Sequence, residues 1–136
     1  EISTRDWSSD VCSSDLIVYG VNHVATGKAT YSNFAAYGAD VWNGVGSIED
    51  PVFNGTAEEY LPDNPNSKYL YVYKIARNCS GDAHCFVVPT GPGAYGIALD
   101  QPLLIAWRSY LEESTKTGPS STEMVYDRAI KFDPKK

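Results

Sequence analysis

Long apolar runs are missing from this 136-residue chain: none approaches the roughly 20 residues that a helix needs to cross a bilayer. Positive charge is also scarce. Eleven Lys and Arg stand against 17 Asp and Glu, and no basic stripe of the kind that phosphate backbones require is present, which argues against nucleic acid as a partner. With only two histidines, His23 and His84, a histidine-rich metal site is excluded. The common catalytic signatures are absent too: no Gly-x-Ser-x-Gly elbow, no His-Glu-x-x-His, no dinucleotide glycine pattern. The run from Gly20 to Ala29 imitates a phosphate loop, but its glycines are seven apart, and Ala29 stands where a magnesium-binding hydroxyl belongs. Nothing here calls for a cofactor or a metal.

Residues 1–16, EISTRDWSSDVCSSDL, are crowded with Ser and Asp and lack any apolar period. They have no basic start, apolar stretch or small-residue cleavage site, so they are not a signal peptide. Arg5-Asp6-Trp7-Ser8-Ser9-Asp10-Val11-Cys12-Ser13-Ser14-Asp15-Leu16 resembles one reading frame of a common sequencing adapter. Glu1-Ile2 matches the constant sequence upstream of its barcode. The resemblance implies that residues 1–16 are non-native read-through, to be set aside in fold reasoning as a scar would be. Residues 17–136 are then expected to be one β-rich domain, the C-terminal part of a larger protein. Without Arg5, Glu1, Asp6, Asp10 and Asp15, ten basic residues face 13 acidic ones, a net charge of −3.

Setting Cys12 aside leaves Cys79 and Cys85 as a pair. Five intervening residues, Gly81 among them, suit a turn that brings two strand ends together. A disulfide there contributes on the order of 2–3 kcal/mol through loop entropy. It also points to a secreted or periplasmic location, because cytosolic thiols stay reduced. A metal site using His84 has only three candidate ligands, short of a structural zinc site.

The pattern predicts a mainly β fold, a sandwich or open barrel of about five or six strands with at most short helices. Residues 17–24 and 29–37 read as strands joined in a hairpin through the turn at 25–28. Residues 42–54 carry Asn43-Gly44, Gly46 and Asp50-Pro51 and read as an irregular connection. Thr56-Ala57-Glu58-Glu59 has capping-box spacing, with Pro62 stopping the turn or two it starts. The clearest strand is 68–77, apolar on both faces and so central in a sheet; 85–89 is its returning partner. Residues 102–113 read as a strand that forms a hairpin with 124–132. The alternative is a helix at about 101–115, with Asp100 and Pro102 suiting its start and Gly118-Pro119 its stop.

For chemistry, Asn22, His23, Lys28 and Tyr31 gather about one turn. A histidine near a lysine has its protonated form disfavoured, which suits a general base, with Lys28 or Tyr31 as electrostatic helper. The plain alternative is a surface histidine on a turn. Glu58-Glu59 and Glu112-Glu113 are adjacent pairs whose members face opposite ways on a strand, so neither makes a glycosidase couple. Asn54-Gly55-Thr56 and Asn78-Cys79-Ser80 match the glycosylation pattern. Ten tyrosines, with Trp42 and Trp107, offer stacking surfaces for a carbohydrate or protein partner, or ordinary half-buried strand positions. The function expected is a non-catalytic extracytoplasmic β-domain with a binding or structural role. The alternatives are a fragment of a secreted hydrolase-like enzyme using His23, and a small-ligand carrier.

Overall fold

The computed structural model describes residues 2–7, 15–91 and 95–132. Two sheets face one another as a sandwich. One contains β1 (Ile2–Trp7), β3 (Tyr31–Gly38), β4 (Asn43–Glu49) and β7 (Leu103–Tyr110), in the order β1-β7-β3-β4. The other contains β2 (Asp15–Val21), β5 (Leu70–Ala76), β6 (Cys85–Val87) and β8 (Arg128–Phe132), in the order β6-β5-β2-β8. Apart from β1, which falls in the adapter-like segment, seven strands remain. The mainly β, sandwich-like fold is as expected. β2 runs across the boundary drawn at residue 17, and Leu16 is fully buried in the core.

Alternation puts one face of each central strand inside. Leu16 and Val18 from β2, Tyr71, Tyr73 and Ile75 from β5, Phe34 and Ala36 from β3, and Leu103, Ile105 and Trp107 from β7 form one apolar cluster. The short helix α1 (Asp50–Phe53), started by Pro51, inserts Phe53 among them. Its ring stacks 4.1 Å from Tyr71 and 5.9 Å from Phe34. Burying such a ring stabilises by about 1.5–3 kcal/mol. No helix among the described residues is long and apolar enough to cross a membrane.

Several local expectations are corrected. Strands β2 and β3 do not form a hairpin. The 25–28 turn carries the chain from one sheet to the other, so that the apolar faces of β2 and β3 meet across the core instead of lying side by side. The stretch read as irregular contains β4, paired to β3 from Asn33↔Glu49 to Gly38↔Asn43 with a bulge between Ala36 and Tyr37. Its glycines are there for packing: a Cβ on Gly46 would stand 2.7 Å from the Phe86 ring. Thr56 starts no helix. Its hydroxyl donates to the Phe53 carbonyl at 2.8 Å and accepts from the Val72 amide at 3.1 Å, closing the unpaired edge of β5.

β5 is central, as expected, but its outer face is only half-buried at Leu70, Val72 and Lys74. β6 lies parallel to β5, not antiparallel. The chain loops back over residues 77–84 and then resumes the same direction, with Lys74 N–H donating to the His84 carbonyl and Val88 N–H to that of Ala76. The Cys79–Cys85 disulfide closes this loop, with Cα atoms 5.7 Å apart. Parallel neighbours usually need a longer crossover; here a covalent bond holds a short one. Arg77 secures the stretch after β6, donating to the carbonyls of Pro89 at 3.1 Å and Ile97 at 2.7 Å.

Residues 103–110 are strand and not helix, with Leu103, Ile105 and Trp107 on the core face. The final hairpin does not form, because β8 pairs with β2 in the opposite sheet. The connection over residues 111–127 therefore crosses the sandwich, and it is there that the candidate residues collect.

Candidate functional site

Three polar contacts fasten the crossing connection, and two of them come from the 22–28 loop. Lys28 Nζ sits between Glu112 Oε1 at 2.6 Å and Glu123 Oε2 at 2.9 Å. His23 is buried, with 5% of its surface exposed, and its Nε2 lies 3.2 Å from the Val125 carbonyl, to which it donates. The loop is shaped to deliver both. The His23 carbonyl accepts from the amides of Lys28 and Ala29, while Asn22 Oδ1 accepts from those of Val24 and Ala25. Asn22 is itself buried, and its amide donates to Asn54 Oδ1 at 3.2 Å.

The third contact is the most enclosed. Tyr71 donates its hydroxyl to Asp127 Oδ1 at 2.6 Å and accepts from the Trp107 indole N–H at 2.9 Å. Each member is positioned by the element that carries it. Tyr71 and Trp107 face the core from opposite sheets, and Asp127 closes the chain just before β8. Burial pushes the Asp127 carboxyl up to about 6, partly offset by the Tyr71 hydroxyl and a backbone amide. Burial also drives the Tyr71 phenol well above its ordinary value, and the neighbouring Asp127 carboxylate adds to the rise. Gly20 makes room for this carboxylate: a Cβ there would stand 2.2 Å from Asp127 Oδ1.

Beyond the sheet, on its outer face, the same connection forms one wall of an apolar cleft of about 390 Å³. Strand register builds its floor. Tyr19 is opposite Val72 on one side and Arg128 on the other, and Val21 is opposite Leu70. Ala57 and Leu61 form the second wall, facing Val125 and Tyr126. Ligand pockets typically occupy 300–1,000 Å³ with apolar linings and few polar groups. A hollow of about 30 Å³ beside Trp107 and Met124 is too small for an organic ligand. A further hollow near Glu59 and His84 is polar, and its Lys74 is already paired to Asp15 and Asp82, each at 2.9 Å.

The residues singled out from the sequence are thus only partly brought together. His23 and Lys28 share a loop and a target, but His23 is not a surface residue. Its protonated form is disfavoured by burial, with the Val125 carbonyl opposing, and not by Lys28. Among the described residues no carboxylate contacts its ring. Tyr31 points elsewhere, onto the outer face of the other sheet, where its ring lies 5.5 Å from Tyr110. Burial first, and then Glu49, to which it is hydrogen-bonded, raise its phenol above the ordinary value. The tyrosines do not share one face: Tyr71 and Tyr73 are in the core, Tyr19 and Tyr126 line the cleft.

Asp127, Tyr71 and Arg128 escaped sequence reasoning. The one available signal was an acidic residue inside an otherwise apolar strand pattern, Val125-Tyr126-Asp127-Arg128-Ala129. No protein-family model, curated protein or solved structure matches the chain.

Proposed function

We propose that this protein is a non-catalytic, extracytoplasmic β-domain that binds a small apolar ligand in the outer-face cleft. The cleft carries this reading: it is a formed concavity of ligand size, lined by apolar side chains from two strands and two connections, with Arg128 of a third strand at its edge. The Cys79–Cys85 bond supports the compartment, since such bonds persist where thiols are oxidised. The environment of His23 supports a non-catalytic role, because its ring nitrogen is engaged by a backbone carbonyl that anchors the connection. The adapter origin of residues 1–16 rests on their sequence, and resequencing the native locus tests it.

The neutral fluorescent probe N-phenyl-1-naphthylamine tests the binding function. Its emission is expected to rise on addition of the protein and to stay at the free-dye level with Val72→Asp, a change at a half-buried outer-face position. Equal enhancement by both proteins, with both folded by circular dichroism, overturns the cleft as the binding site.

A further inference from the structure

We propose that the ligand is a singly charged anionic amphiphile, an aliphatic chain ending in a carboxylate, with the chain in the cleft and the carboxylate on Arg128. This rests on the cleft being the binding site. Arg128 stands at one end of the row Val72, Tyr19, Arg128 that crosses the floor. It is exposed and has no ion-pair partner among the described residues. Its neighbour Asp127 does not neutralise it. Successive residues at a strand end point to opposite faces, and the Asp127 carboxylate is turned to Tyr71 beneath the sheet.

The charge around the cleft selects the headgroup. Lys28 is engaged by Glu112 and Glu123, Lys74 by Asp15 and Asp82, and Arg108 by the Tyr37 hydroxyl, all away from the cleft. Among the described residues Arg128 is the cation in the cleft's lining, and a planar carboxylate matches its fork with two parallel hydrogen bonds. A dianionic phosphate would leave charge uncompensated beside apolar walls. Tyr126 and Tyr19, both exposed, flank the cleft with their rings.

Displacement of N-phenyl-1-naphthylamine by dodecanoate and dodecyltrimethylammonium below their critical micelle concentrations, and by dodecanol below its solubility limit, tests the proposal on the full chain. Dodecanoate is expected to bind roughly tenfold tighter than dodecanol, the scale of a charge-assisted bidentate contact, with the cationic amphiphile weakest. Arg128→Gln should remove the preference, lowering dodecanoate affinity by far more than dodecanol affinity, and Arg128→Lys should restore part of it. Equal affinity for dodecanoate and dodecanol, insensitive to Arg128→Gln, overturns the headgroup assignment and leaves the cleft standing. Failure of every amphiphile to displace the probe overturns both. Arg128 is exposed, so thermal melts of the variants should overlay that of the parent.

Discussion

The crossing connection is pinned by two carboxylate clusters that obey opposite rules. At one, Lys28 lies between Glu112 and Glu123 in contact with solvent; at the other, Asp127 lies under the sheet against Tyr71. Distances alone do not separate them, since both closest contacts are 2.6 Å. Surroundings do. Water screens the exposed pair, so its attraction contributes little. The enclosed carboxylate has lost much of its water, depends on one hydroxyl and one backbone amide, and its pKa moves up, while that of Glu112 moves down under the influence of Lys28. The enclosed end is therefore where loss of a hydrogen-bond partner costs most, and the exposed end is where the connection's course is steered.

The sharpest way to break this contrast is Tyr71→Phe. It orphans the Trp107 indole N–H and takes from the Asp127 carboxylate its side-chain donor, and should cost about 2–5 kcal/mol in urea denaturation at pH 7. A loss below roughly 1 kcal/mol would mean that solvent reaches the pair.

Titration comes next. Asp127 ionises near 6 in the folded chain against an ordinary 3.8, so at pH 5 the folded state keeps a proton that the unfolded state has released. Its contribution is full below 3.8 and lost as pH rises through about 6, a change of up to about 3 kcal/mol. Asp127→Asn should flatten that slope. His23 works against it: burial lowers its pKa below 6.5, so the stability it contributes is present above 6.5 and lost on acidification. Denaturation midpoints from pH 4 to 7 for Asp127→Asn and His23→Gln should bend in opposite directions relative to the parent.

Gly20→Ala probes the same corner sterically. Its new methyl would displace the Asp127 carboxylate, at a cost of about 1–3 kcal/mol, and the pH slope assigned to Asp127 should shrink with it. The smallest effect belongs to the exposed end. Lys28→Met should shift the melting temperature least of all these substitutions and should do so only at low salt. A larger shift than that of Gly20→Ala would reverse the ranking of the two clusters.

Strand propensity is legible wherever β-branched and aromatic residues alternate, which is why β2, β5 and β7 are expected where they lie. The disulfide is legible from spacing alone. β4 is not, because Gly44 and Gly46 look like turn residues until the Phe86 ring that needs Gly46 is known. Pairing is the general failure. The strands on either side of the 25–28 turn, and those on either side of the 111–127 connection, suggest hairpins because they are neighbours in the chain. In each case they lie in different sheets.

In the candidate site, His23 and Lys28 are visible as unusual residues on a turn, but their target is about a hundred residues away. Arg128 looks like any strand-edge cation, and its place beside the cleft emerges only once the partners of Lys28, Lys74 and Arg108 are known.

By itself, then, the sequence determined local preferences: which stretches extend, where the chain turns, and that Cys79 and Cys85 stand close enough to join. Those depend on neighbouring side chains and on loop entropy, both local quantities. Tertiary structure alone decided which strands pair, that the half-buried Asp127 turns to the Tyr71 hydroxyl while Arg128 is exposed, and that an apolar cleft opens on the outer face. Each of these depends on which surfaces lose water to one another, and burial is a property of the assembled sandwich rather than of any segment in it.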